Sequence, residues 1–164
     1  MNIRVYLVYG TLLGIIREND FLEHDTDIDM AYLSNYHTKE EVIQEFNEIC
    51  KVLETTKALL HRIKTMSHIH VQDTITGTRL DMWISWIDEN NNYHIVWTVA
   101  GEIDASMILP FKTVEFRKQV FRQMNDPERF LNEHYNTWKV PVGGEAPQWA
   151  KRKFVFELEP WQGK

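Results

Sequence analysis

Residues 9–33 run YGTLLGIIRENDFLEHDTDIDMAYL, and the alternation in the last third decides how the chain folds. Asp25, Asp27 and Asp29 are spaced two apart, interleaved with Thr26 and Ile28, and lead into apolar Met30, Ala31 and Tyr32. On a β-strand, residues two apart share a face and stand about 6.6 Å apart along the chain. Asp27 and Asp29 therefore project together, while Ile28 and Met30 point toward a core. Upstream, Ile3 to Tyr9 is β-branched and aromatic and is closed by Gly10, which predicts a buried strand. Thr11 then opens a short helix, TLLGIIREN, as its N-cap.

Outward from this unit, Val42, Ile43, Phe46, Ile49, Cys50 and Leu53 recur at three- and four-residue steps. With Thr38 and Glu41 placed as a capping box, they predict a long helix from Thr38 to about Lys57. Four strand candidates follow: ALLHRIKTM, HIHVQD, RLDMWISWI and YHIVWTV. TITG (74–77) and DENNN (88–92) supply hairpin loops. KTVEFRKQVF predicts an edge ribbon, and FVFEL a last strand. In DPERFLNEHY, Asp126 stands at an N-cap and Pro127 in the first helical turn. This order predicts one α+β domain over residues 1–164, with a mixed sheet and helices packed mainly on one face.

The totals narrow the function. A chain of 164 residues is long enough to bury a core as one domain. Its net charge of −6 lacks the basic footprint of a duplex-binding protein. A nucleotide ligand stays compatible, because bound divalent cations reverse the local sign. The single cysteine, Cys50, forms no intrachain disulfide; it fits core filling and a reducing, cytoplasmic setting. The opening MNIRVYLVYG is too short and polar for a signal peptide or a transmembrane segment.

Two carboxylates on one strand face can hold a divalent cation such as Mg²⁺. For DTDID alone, a solvated acidic loop fits equally well. RLDMWISW changes the balance by placing Asp81 inside an apolar strand, with Leu80 and Met82 on the opposite face. A mid-strand acid is costly unless it faces water, pairs with a cation such as Arg79, or binds metal. Asp27, Asp29 and Asp81 together make a candidate metal cage. Beside it, Gly10 allows close backbone approach, and the helix opening at Thr11 offers N–H groups to a phosphate. Gly14 and Arg17 follow on a similar face, so Arg17 is a further phosphate candidate; a plain turn and a solvated helix end are the ordinary alternatives. If TITG closes a hairpin with Asp73 opposite Thr78, His70 falls opposite Asp81 and His68 opposite Trp83. His70 could then orient Asp81, share a metal or carry a proton, or the HIH strand could simply be exposed. Trp83, Trp86 and Trp97 fit core packing first and base stacking or a cation–π cage second. Lys151–Lys153 fits solvated surface or contact with an anionic acceptor.

Gly10-Thr11, the Asp-x-Asp pair on the next strand and a lone Asp on a later one resemble the nucleotidyltransferase superfamily. More narrowly, YGTLLGIIRENDFLEHDTDID is similar to the opening motif of the LicD and fukutin-related phosphotransferase family, and DPERFLNEHYNTWKVP to its closing element. The resemblance implies a nucleotidyltransferase-like mixed sheet. It also implies transfer of a substituted phosphate, of the phosphocholine or ribitol-phosphate kind, from a CDP-linked donor to a hydroxyl of a cell-surface glycan, with Mg²⁺ or Mn²⁺. By position, Asp27 and Asp29 match its metal-binding pair, Asp81 its third carboxylate, Gly10 and Thr11 its phosphate-side turn, and Asp25 the first acid of the longer motif. His24 stands where many members carry an aromatic residue, and Asn136 and Thr137 depart from the closing pattern. Transfer of a nucleoside monophosphate to a small molecule or protein, or a non-catalytic nucleotide-binding module of the same fold, are the alternatives.

Overall fold

The computed structural model describes residues 3–23, 25–55, 59–62, 68–73, 75–95, 97–99, 103–135, 137–140 and 152–154. Strand β1 (Arg4–Leu7) leads into helix α1 (Tyr9–Glu18), and β2 (Asp27–Leu33) into helix α2 (Lys39–Glu54). Strands β3 (Leu59–Arg62), β4 (His68–Gln72), β5 (Arg79–Ile87), β6 (Asn92–Ile95), β7 (Trp97–Val99) and β8 (Ile103–Asp104) follow. The chain then forms a ribbon of β9 (Lys112–Phe116) and β10 (Gln119–Gln123), helix α3 (Pro127–His134) and strand β11 (Arg152–Phe154).

The main sheet has the order β1-β2-β5-β4-β3, with β6 continuing from β5 to β8. It is mixed: β2 and β5 run parallel, and their neighbours pair antiparallel. That parallel pairing needs a crossover, which α2 and the β3–β4 hairpin supply. The α+β class and the mixed sheet follow the expectation. Helices α1 and α3 share one face, where Leu12, Leu13, Phe130 and Leu131 pack with Tyr6, Ala31 and Leu33. The longest helix, α2, covers the other face through Val42, Phe46 and Ile49 against Tyr32, Ile69, Met82 and Ile84. Alternation along β2 explains the division, because Ala31 and Leu33 point to one layer and Tyr32 to the other.

Local chemistry explains the element ends. Thr38 caps α2, accepting from the Glu41 N–H and donating its hydroxyl to the Glu41 carboxylate at 2.6 Å. The helix stops at Glu54 rather than Lys57, which lies outside the described residues. In the β4–β5 hairpin, the Asp73 N–H donates to the Thr78 carbonyl at 2.9 Å, as TITG requires. Asp88 and Asn92 close the β5–β6 hairpin in the same way, and Asp126 caps α3. YHIVWTV divides in two: β6 stays in the main sheet, while β7 pairs with β11. Strand β11 begins before FVFEL and shares only Phe154 with it; 155–158 lie outside the described residues.

The opening differs most from expectation. Strand β1 ends at Leu7, and Val8, not Thr11, occupies the N-cap position of α1, without a side-chain cap. Val8 donates its N–H to the Asp29 carbonyl and accepts the Leu12 N–H, so the chain must turn at Tyr9, whose φ is 44°. Positive φ is costly for a residue of this size. The ring offsets that cost by burying fully between Trp83, Phe130 and His134.

The β9–β10 turn carries a comparable strain, since Arg117 and Lys118 both adopt positive φ, 49° and 64°. Two-residue hairpin turns of this hand favour glycine or asparagine. Replacing exposed Lys118 by glycine is expected to raise stability by about 0.5–1 kcal/mol, the difference between left-handed strain and glycine's added chain entropy. Urea denaturation reads this as a higher midpoint at unchanged slope; a lower midpoint contradicts it.

Candidate active site

The parallel β2–β5 register sets Asp29 directly beside Asp81, and Asp27 beside Arg79. Residues opposite each other in a sheet share a face, so Asp27, Asp29 and Asp81 project on the same side. Strand β5 lies inside the sheet and Asp81 is 7% exposed, so a solvated edge does not explain this acid. Nor does an ion pair with Arg79, which donates instead to the Thr26 hydroxyl.

Helix α1 begins against these acids. The Gly10 N–H donates to Asp29 Oδ2 at 3.0 Å, and the Asp29 N–H donates to Thr11 Oγ1 at 2.9 Å. Trp83, two residues after Asp81 on the same face, donates its Nε1–H to Asp29 Oδ1 at 3.1 Å. Each Asp29 oxygen thus holds one N–H and keeps a lone pair for another ligand. A Cβ at position 10 would stand 2.9 Å from Asp25 Oδ2 and 3.1 Å from Asp29 Oδ2, so any larger residue would push both carboxylates from their places. Of the turn expected to face a phosphate, the Gly10 N–H and the Thr11 hydroxyl are engaged with Asp29.

Asp25 joins the cluster from the loop before β2. Its Oδ2 is buried and has no hydrogen-bond partner. Burial, then a hydrogen bond with Asp27 and the charges of Asp29 and Asp27, push its carboxyl up to about 7. Burial likewise raises Asp29 to about 6, with the Trp83 and Gly10 donors only partly offsetting it and Asp27 and Asp81 adding to it. Asp81 is raised too, by burial first. Two ionised carboxylates about 5 Å apart repel by about 3 kcal/mol at an effective dielectric constant of about 20. That is comparable to what one charge-assisted hydrogen bond returns, about 1.5–3 kcal/mol. Protein donors alone do not neutralise the group. Oxygen ligands, an orphaned carboxylate atom and raised proton affinities fit a hard divalent cation such as Mg²⁺ or Mn²⁺, and Asp25, Asp27, Asp29 and Asp81 could hold it.

Strand β4 adds imidazoles at the register read from the hairpin: His70 opposite Asp81, and His68 opposite Trp83. His70 Nδ1 hydrogen-bonds Asp81 Oδ1. His68 is buried, stacks on Trp83 at 4.2 Å and has its imidazole pushed down to about 4 by burial and by His70. Among the described residues, His68, His70 and Asp81 bring one ligand atom each to within 4.8 Å of one another.

Arg17 is not brought to this site. It lies in the last turn of α1, about 10 Å along the axis from Gly10, and its Nη1–H donates to the Trp138 carbonyl at 3.0 Å. Gly14 serves packing, because a Cβ there would stand 2.6 Å from the Asp20 carbonyl. Trp86 is core on the α2 face. His24, Asn136, Lys151 and the side chains of Trp97, Arg152 and Lys153 lie outside the described residues. Two participants go beyond the sequence reading. Trp83, which fits core packing first and stacking second by sequence, lies beside Ala31 on the acidic face and donates to Asp29. His68, which the sequence places only opposite Trp83, stacks on that indole.

The mixed sheet thus carries its carboxylates at the start of two parallel strands, against the first turn of a helix. The family model described as LicD/FKTN/FKRP, nucleotidyltransferase domain, matches residues 2–125, and the chain belongs to that family. The match takes in all four acids and both histidines and ends before α3, so the closing element lies beyond it. No curated protein matches the chain. Family membership points to a transferase of phosphotransferase type. No described helix is long and apolar enough to cross a membrane.

The acids make stability depend on pH in a stated direction. With folded-state values near 7 for Asp25 and 6 for Asp29, above the ordinary 3.8, the native state binds more protons than the unfolded one between about pH 4 and 7. In chelator, stability therefore falls as pH rises through that window. Asp25→Asn is expected to flatten the fall and to be more stable than wild type at pH 8. Urea midpoints at pH 5 and pH 8 measure both, and equal pH dependence in the two proteins contradicts this origin.

Proposed function

We propose that the chain, as one domain over residues 1–164, moves a substituted phosphate from a CDP-linked donor to a glycan hydroxyl. The donor group is of the phosphocholine or ribitol-phosphate kind, and the setting is cytoplasmic. The observation that carries this reading is the convergence of four aspartates beside the first turn of α1, with raised proton affinity at Asp25, Asp29 and Asp81 and one orphaned oxygen on Asp25. Phosphoryl-type transfer asks for positioning and charge neutralisation more than for covalent chemistry.

In this proposal Asp27 and Asp29 hold the cation, Mg²⁺ or Mn²⁺, which neutralises charge on the donor diphosphate when bound. Gly10 and Trp83 fix the Asp29 carboxylate, so little reorganisation remains for the reaction step. Asp81, whose raised proton affinity makes it a better base, accepts the proton of the attacking hydroxyl, and His70 orients it. Asp25 adds negative charge on the cation side. Thr11 ties α1 to β2 and so holds the turn against the acids.

Asp27→Asn is expected to lower turnover by about 10²–10³-fold, with the circular-dichroism melt in chelator close to wild type. A variant that keeps full activity removes the assignment. Labelled CDP-choline and CTP, each incubated with Mn²⁺ and a glycan acceptor, distinguish the two transfer types. Label leaving with the head-group phosphate supports the proposal, whereas nucleoside monophosphate on the acceptor identifies nucleotidyl transfer instead.

A further inference from the structure

We propose that His68 and His70 form a second cation site, selective for zinc-class metals and adjacent to the carboxylate site. The two Nε2 atoms face each other at 3.3 Å. Two nitrogens each about 2.0–2.1 Å from one tetrahedrally bound ion stand about 3.3 Å apart, so the pair already has the separation that such an ion needs. Without metal, one Nε2–H donates to the other ring. With metal, both lone pairs face the ion.

The surroundings favour this use of the rings. His70 Nδ1 is held by Asp81 Oδ1, the carboxylate–histidine arrangement that fixes the tautomer and turns Nε2 toward a metal. His68 is 5% exposed, its ring held by stacking on Trp83, and its Nδ1 is buried without a partner. Nε2 is then the nitrogen that this ring presents to its neighbour. The rings stand nearly perpendicular, at 88°, with centroids 4.7 Å apart. The β-strand period places both on the face that carries Asp81.

Asp81 thereby stands between two chemistries, one oxygen toward His70 and the other left for the aspartates of β2. Imidazole nitrogen favours Zn²⁺, Co²⁺ or Cu²⁺ over Mg²⁺, whereas carboxylate oxygen suits Mg²⁺ and Mn²⁺. Water or a phosphate oxygen of the substrate completes the two-nitrogen site. This inference shares Asp81 with the transferase proposal but does not depend on turnover.

The test uses the full chain, free of any histidine tag, in two measurements. Zn²⁺ titration by calorimetry is expected to show a site weakened at least tenfold in His68→Phe and in His70→Asn, with Mg²⁺ affinity changed less than Zn²⁺ affinity in both. Electron paramagnetic resonance of the Cu²⁺-loaded protein is expected to show coupling to imidazole nitrogen in wild type and to lose it in both variants. Melting in chelator controls for folding, and half-exposed His70 provides the variant least disturbing to the core. Unchanged Zn²⁺ affinity in both variants, or a Cu²⁺ spectrum without nitrogen coupling, overturns the inference. Asp27→Asn separates the two proposals: it removes transfer under the first and leaves the nitrogen-coupled spectrum intact under the second.

Discussion

Four aspartates are held close together at the start of two parallel strands, and most of the local structure answers the repulsion among them. The β2–β5 pairing fixes Asp29 against Asp81, so the acids cannot separate without breaking the centre of the sheet. Charge is managed around them instead. Gly10 and Trp83 each give an N–H to one Asp29 oxygen, His70 gives one to Asp81, and Asp25 retains a buried oxygen with nothing to accept. The remaining excess appears as raised proton affinity.

Backbone strain nearby has the same origin. Leu7 ends β1 beside Met30, and Gly10 must reach Asp29, which leaves Tyr9 to reverse the chain in one step. Burial of the Tyr9 ring against Trp83 and the α3 side chains holds that step in place. Helix α3 therefore supports the site through Phe130 and His134, which pack on the Tyr9 ring. Arg17 plays a related part, tying the far end of α1 to the Trp138 carbonyl.

The same strand geometry gives the site two kinds of ligand. On the β2 side the donors are carboxylate oxygens; on the β4 side they are ring nitrogens, with Asp81 between them. Such an arrangement can distinguish cations by their chemistry and not only by charge. It also explains why His70 sits where an acid alone would have been left unpaired.

The period-two alternation of DTDIDMAYL was enough to put Asp27 and Asp29 on one face, and the TITG turn to set His70 opposite Asp81; that the two pairs share a face came from the β2–β5 pairing. The first two features are local: strand alternation and hairpin length fix which side chains share a side, whatever surrounds them. The capping boxes of α2 and α3 were legible for the same reason. Sequence alone did not place the N-terminus of α1, the destination of Arg17, the division of YHIVWTV or the part played by Trp83. Each depends on a partner distant in the chain: the Asp29 carbonyl for Val8, the Trp138 carbonyl for Arg17, β11 for β7, and the Asp29 carboxylate for the indole. Only the folded sheet, by setting β2 beside β5, decided which of those distant groups would meet.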